Sequence, residues 1–563
     1  MTTTSTKSQN KKSPPRKPSA VGIDHRPNGE LSERAWRICA AAIIVVGALL
    51  RFVYLALVPL HHDEGVNGNF LVSLVRNGTY TYDPNNYHGP TVYYFAAIIP
   101  WVARFLGGVT ARDKYGLTTF NIRLVTVAFG IATILLALML RKRLGGIGAL
   151  SAAAFIAISP GAVYLSRYFI HESLFVFFTL GIIVAVLKYY DSGASVYLIL
   201  AAISAALMTA TKETWIINAP VLLIALATTT AYFWVRGKLR GRASDSKADS
   251  GGFLERFGGP ISVATVALMA FTVLIVVNVL FYSSFFTNYP KGVNDALLTL
   301  SLWRKRTHEH EHPWSQYLVW LIQEEGLLVF LGGIGALIAI WRADNRFAVF
   351  IAQFSFGLLA AYSLVGYKTP WITLNFIVPL ALTSGYALEV FYQKLREFQQ
   401  PWFFLAPAIL FVAFCGYQMY QLNFVHYDDD KYVYVYAHTR RETLVMLEQI
   451  DHVANQMKTG YDTGVAIVSP EYWPLPWYFR DYKRVGYYGK VVTTSEPVII
   501  GQTGQEEEIK ATFGEQYQQI DSSKLNDPRI IPDRNPEGSF SLRPGVDLLL
   551  YVRRDVAKPS TTK

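Results

Sequence analysis

The feature that most constrains this chain is its series of apolar runs, each near the roughly 20 residues a helix needs to cross a lipid bilayer. One covers 38 to 59, and others begin near 90, 120, 146, 172, 195, 214, 260, 316, 346, 370 and 402. Twelve such runs cannot all be buried in one water-soluble core. With 52% apolar and 17% charged residues and a mean hydropathy of +0.24, the composition excludes soluble, fibrous and disordered classes. The net charge of +11 is no nucleic-acid footprint, because its distribution follows the apolar runs. Residues 1 to 423 carry the whole excess, and the stretch from Phe424 onward is slightly acidic. The two cysteines, Cys39 and Cys415, lie in apolar runs, so there is no disulfide framework or paired-cysteine metal motif.

Charge fixes the expected topology. Residues 1 to 37 are polar and basic, too long and mixed for the start of a signal peptide, and read as a disordered cytoplasmic tail before a retained first helix. Basic clusters stay cytoplasmic, and four are found: Arg141/Lys142/Arg143; Arg236, Lys238, Arg240, Arg242 and Lys247; Arg342/Arg346; and Lys394/Arg396. If the run at 90 to 106 crossed the membrane, all four would lie outside. It is therefore read as an interfacial or re-entrant helix within one large external loop, 60 to 119. The expectation is an all-α polytopic domain of about eleven spans over 38 to 423, followed by a small extracytoplasmic α/β domain over 424 to 563. In that domain a helical stretch (437 to 457), short apolar strands (464 to 469, 497 to 501, 546 to 552) and the helical EEEIKATFGEQY alternate. The cytoplasmic loops hold no GxxxxGK[ST] and no helix-opening GxGxxG, so no nucleotide-driven chemistry is visible there.

The polar residues left on the outer face are the candidates for chemistry. HHDEGVNG (61 to 68) puts Asp63 and Glu64 just beyond the first span, where a carboxylate can take a proton or hold a metal; a plain helix-end turn is the alternative. Arg51 lies within the first span and either snorkels or forms an internal ion pair. Arg167 and Glu172 sit in the polar break SRYFIHE (166 to 172), which simple helix connection also explains. Lys368, in GYKTPW, and Lys212, in TKE (211 to 213), could together bind a lipid phosphate or simply touch headgroups. THEHEHPW (307 to 314) spaces His308, His310 and His312 by two, one face of a strand and a candidate three-imidazole metal site, with a solvated loop as the alternative.

Taken in order, RFVYL (51 to 55), DE (63 and 64), YHGP (87 to 90), Arg123, SRYFIHE and YKTPW (367 to 371) resemble the polytopic GT-C glycosyltransferases, in the protein O-mannosyltransferase and aminoarabinose-transferase branch, over about 1 to 390. The departures are His88, where that branch has a proline or a lysine neighbour, and His171-Glu172 in place of an aspartate. HEHEHPW and WPLPWYFRDY (473 to 482) are similar instead to the flippase-associated glycosylation proteins of archaea and bacteria.

The resemblance implies an extracytoplasmic reaction that moves a sugar from a polyprenyl-phosphate carrier to an acceptor glycan, lipid or protein, with inversion. Asp63 would be the general base, with Glu64 beside it. Lys368, Arg123 and Lys212 would hold the donor phosphate, and Arg51, His88, Arg167 and Glu172 would build the cavity. The resemblance fixes no cofactor and leaves a divalent metal ion open. Partners would be the carrier-linked sugar and membrane lipids. The rival readings are a non-catalytic component of lipid-linked sugar translocation and a glycan-binding membrane protein.

Overall fold

The computed structural model describes residues 31–86, 88–107, 115–239, 259–306 and 311–556. The tail before residue 31 lies outside them, and the first helix begins at Glu33 rather than 38. Among the described residues nine helices are long and apolar enough to cross a membrane, and a tenth span forms if the bent pair Gly146–Ile158 and Pro160–Ser166 counts as one. The eleventh expected span is the 14-residue helix Val196–Thr209, only about 21 Å long. Its connections nonetheless run between opposite ends of the bundle. Asp191, just before it, pairs with Arg143, and Lys212, just after it, pairs with Glu172.

The run at 90 to 106 folds as Thr91–Phe105, and both its ends lie at the same end of the bundle. Gly89 N donates to Thr211 O, and Leu117 O, at the return, accepts from Arg480 of the C-terminal region. The described residues of the basic clusters gather at the other end, Arg240, Arg242 and Lys247 lying outside the described residues. Asn345 Nδ2 donates to Arg143 O at 2.6 Å, Arg236 donates to the carbonyls of Ile340 and Arg342, and Arg141 and Arg396 line one crevice.

The bent pair follows from its sequence. Pro160 removes a backbone donor and restricts Ser159, which is extended at ψ 129°. The axis turns by 59°, and carbonyls at the end of the first half lose their helical partners. Arg51, fully buried, supplies the missing donors to Ile156 O and Ala157 O and reaches across the bend to Ala162 O. Arg51 therefore does not snorkel, and among the described residues it forms no ion pair. Reciprocally, Arg167, just beyond the bent pair, donates to Leu50 O, Val53 O and Tyr54 O at the end of the first helix.

From Val425 the chain forms a mixed sheet of strands β1 (Gly464–Ile467), β2 (Arg484–Tyr487), β3 (Val498–Gln502), β4 (Tyr517–Ile520), β5 (Phe540–Arg543) and β6 (Val546–Arg553). The order is β2-β1-β3-β6-β4, with β5 also on β6. Strands β1, β2 and β3 run parallel, while β6 runs antiparallel to β3, β4 and β5. Helix Glu442–Gln456 covers one face through Val445, Met446 and Ile450, and Glu506–Phe513 covers the other through Ile509 and Phe513.

Candidate functional site

At the end of the bundle opposite the basic clusters, the polar connections enclose a cavity of about 240 Å³. One wall is the first turn of helix His62–Asn77, started by His61, whose Nδ1 accepts from Asp63 N at 3.0 Å while Glu64 Oε2 accepts from His61 N. This capping box turns the adjacent acids in opposite directions. Asp63 lines the cavity with its side chain 39% exposed. Glu64 is fully buried.

Glu64 is a structural group. Its carboxylate takes a bidentate bond from Arg123 (Nε to Oε1 2.8 Å, Nη2 to Oε2 2.6 Å) and accepts Phe169 N at 2.7 Å. Arg123 spends its other protons on the carbonyls of Leu55, Val58 and Pro59. Neither side chain lines the cavity, which corrects both expectations: Glu64 is not placed as an acid or base, and Arg123 is not placed at a donor phosphate.

The opposite wall corrects Lys368. Val365, Tyr367, Thr369, Trp371 and Ile372 line the cavity, the last two from the 3-10 turn Pro370–Thr373. Lys368 is not among the lining residues. The residue is 1% exposed, and its ammonium donates to Val365 O and reaches His312 O at 3.4 Å, behind the wall and 5.8 Å from the Tyr317 ring centre. His312 is held through its backbone to Gly366 O, and its ring lies against Trp320. His308 and His310 lie outside the described residues. Among the described residues no cluster of three His, Cys, Asp or Glu could hold a metal.

The floor consists of paired charges. Lys212 lines the cavity and bonds Glu172. Burial alone would favour its neutral form, but Glu172 and Glu213 outweigh that and hold its pKa above the usual lysine value. Glu213 sits 2.9 Å from His88 Nδ1; burial pushes its carboxyl up, and His88 and Lys212 pull it below the usual carboxylate range. The His88 and His171 rings are 4.8 Å apart, and His171 Nε2 meets Gly89 O at 3.0 Å. Burial lowers the His171 pKa, so its ring is neutral.

Of the expected residues, Asp63, His88 and Lys212 therefore line the cavity, with Glu172 bonded behind Lys212, while Arg51, Glu64, Arg123, Arg167 and Lys368 serve the scaffold. Sequence reasoning missed His62, Asn85, Asn86, Glu213, Tyr362 and Trp371 in the lining. Glu213 was findable, since it is the third residue of TKE. Tyr362, inside an apolar run, carried no signal. The arrangement offers one partly exposed carboxylate facing a cationic ammonium and a histidine, which suits proton removal from an acceptor beside a bound anion.

Residues 88–239 match the dolichyl-phosphate-mannose-protein mannosyltransferase family. No curated protein matches the chain. Among solved structures, the chain is similar to ArnT from Cupriavidus metallidurans bound to undecaprenyl phosphate, at 13% identity and a TM-score of 0.58, covering 94% of this chain and 100% of ArnT. It is also similar to the apo oligosaccharyltransferase of Archaeoglobus fulgidus, at 16% identity and a TM-score of 0.52, covering 81% of this chain and 64% of that one. The same enzyme tethered to an acceptor peptide gives 14% identity and a TM-score of 0.52, covering 84% and 70%.

Proposed function

We propose that this chain, which belongs to the GT-C superfamily of membrane glycosyltransferases by its fold and its mannosyltransferase-like segment, transfers a sugar from a polyprenyl-phosphate carrier to an extracytoplasmic acceptor. The cavity end faces outward, because the described residues of all four basic clusters lie at the other end and basic residues stay cytoplasmic. The N-terminus is then cytoplasmic, the transmembrane part covers 38–423, and the sheet-bearing part from 424 is extracytoplasmic.

The observation that carries the reading is the division of labour in the Asp63-Glu64 pair. Glu64 is consumed by Arg123, and Asp63 is left partly open on the cavity. Asp63 accepts the proton of the attacking acceptor group as that group bonds to the anomeric carbon. The bond from that carbon to the phosphate oxygen breaks, and the carrier phosphate leaves with the electron pair. Lys212 supplies positive charge to the departing phosphate, and Glu172 and His88 hold the floor around it. One displacement of this kind inverts the anomeric centre.

The rival translocation reading calls for charges that can exchange partners along a path. Arg51, Arg123 and Arg167 are each held by three or more bonds inside the bundle, which does not favour it.

The test is transfer from a panel of labelled polyprenyl-phosphate sugars in membranes carrying wild type or Asp63→Asn. The substitution keeps shape and removes the proton acceptor, so turnover falls by about 10² or more with the melting temperature unchanged. Wild-type turnover in the Asn variant would remove Asp63 from the chemistry.

A further inference from the structure

The C-terminal region does more than cap the bundle. Its segment 473–481, part of WPLPWYFRDY, lies along helix His62–Asn77, the helix that carries Asp63. A Cβ at Gly65 would stand 2.5 Å from Pro474 Cβ, and a Cβ at Gly68 would stand 2.6 Å from Trp477 Cε3. Both contacts are closer than any side chain allows. They make HHDEGVNG a docking surface for this segment and account for its two glycines. Trp477 is 1% exposed and shares a hydrophobic core with Leu71 and Leu74 of the same helix. Further along, Arg76 donates to Arg480 O at 2.7 Å and pairs with Asp481. Outside the helix, Tyr478 Oη accepts from Leu60 N at 2.9 Å, and Arg480 donates to Leu117 O at 2.6 Å.

Helical geometry gives these contacts a direction. At about 100° per residue, Gly65, Gly68 and Arg76 fall within an arc of about 80°, and Asp63 lies about 180° from its centre. The segment therefore presses on the back of the helix while Asp63 projects from the front into the cavity.

We infer that residues 473–481 are a strap that positions the Asp63 helix from behind, with Pro474 and Trp477 as positioning residues, so that the cavity-facing carboxylate depends on a segment about 410 residues away in sequence. The inference rests on the reading of Asp63 as the base. Misplacing a catalytic group by about 1 Å costs up to about a hundredfold in rate, and a strap gripping the helix over three turns suppresses that displacement. A purely structural role would lower stability without separating turnover from substrate affinity.

The test uses the full-length protein in micelles, a panel of polyprenyl-phosphate sugars as donors, and hydrogen exchange over residues 62–77. Gly68→Ala is expected to reduce turnover about ten- to a hundredfold, leaving the donor KM within about twofold. Adding Trp477→Leu, which makes room for the new methyl, should restore most of the loss. Asp481→Asn, at the partly exposed edge of the strap, should speed exchange of amides near Arg76 about tenfold without unfolding. Wild-type turnover in Gly68→Ala, a loss confined to KM, or unchanged exchange in Asp481→Asn each overturns the strap. If Gly68→Ala does not fold, exchange and turnover in Asp481→Asn decide the matter. If no sugar in the panel is transferred by wild type, the proposed function fails, and the exchange measurements still score the strap by themselves.

Discussion

Two sets of buried charges lie close together here and are neutralised by different means. In the bundle, Arg51, Arg123 and Arg167 bond mainly to backbone carbonyls, with Glu64 as the one carboxylate partner. At the cavity floor, Lys212, Glu172, Glu213 and His88 pair with one another through side chains. The bundle arginines repair interrupted helices: carbonyls left without amide partners at 50–59 and at the Ser159-Pro160 break need donors, and a guanidinium offers five in a fixed fork. The cavity groups repair no backbone. They enclose a space in which a charged ligand can replace a partner. An ionisable residue in a membrane span invites a functional reading, and here the bond partners separate scaffold from site.

The strongest challenge to this contrast is Arg123→Leu. It leaves the Glu64 carboxylate buried without its counter-charge and three carbonyls without donors, and should destabilise the protein by about 3 to 5 kcal/mol. A large drop in apparent melting temperature is expected, and Glu64→Gln in the same chain should recover only part of it. If Arg123→Leu melted like wild type and lost only donor binding, Arg123 would return to the donor phosphate and the contrast would collapse.

Between the two sets stands His61, which caps the Asp63 helix and contacts Tyr436 O at 3.2 Å. Burial lowers its pKa from 6.5 to about 4, partly opposed by Glu64. The folded state therefore binds its proton less readily than the unfolded chain does. The stability it contributes is fully present above about pH 6.5 and is lost as pH falls towards 4, by up to about 3 kcal/mol. Melting curves from pH 7.5 to 5 should fall more steeply for wild type than for His61→Gln, and parallel curves would refute the burial argument.

Much of the bundle was legible because hydropathy and charge act over long windows. Four basic clusters excluded the 90 to 106 run as a span, and the helix there does begin and end at one end of the bundle. The strands were half legible. β1, β3 and β6 are buried and apolar, but Arg484–Tyr487, Tyr517–Ile520 and Phe540–Arg543 are short, and the first is largely exposed, so no apolar run marks them. In the site, sequence identified the residue types and missed their direction. Asp63 and Glu64 are adjacent and chemically alike, and only the capping box at His61 decides which one faces the cavity. The contacts of Gly65 and Gly68 with 473–481 span about 410 residues, beyond any local pattern.

A smaller effect sharpens the cavity side of the comparison. Removing Lys212 alone would strand Glu172, 2% exposed, and confuse stability with binding. Lys212→Met combined with Glu172→Gln removes both charges together. On the proposed function, affinity for undecaprenyl phosphate, used as a polyprenyl-phosphate probe, should then fall by about 1.5 to 3 kcal/mol, or one to two powers of ten. Unchanged affinity would mean that the phosphate is held elsewhere.

The smallest effect expected is at Lys368, and it tests whether the observed bonds of a side chain can overrule a motif. YKTPW places a lysine at the rim of the cavity, where a donor phosphate would be sought. Lys368 is not among the residues of this wall, Val365, Tyr367, Thr369, Trp371 and Ile372, and Val365 O and His312 O take its protons behind it. Lys368→Met should therefore cost about 1 kcal/mol of stability, for the carbonyls it leaves. It should change undecaprenyl phosphate affinity by less than about twofold, under 0.5 kcal/mol. Titration of undecaprenyl phosphate into the purified variant separates the two effects. A tenfold loss of affinity would show that the 365–371 wall rearranges when the donor binds and brings the Lys368 ammonium into the cavity.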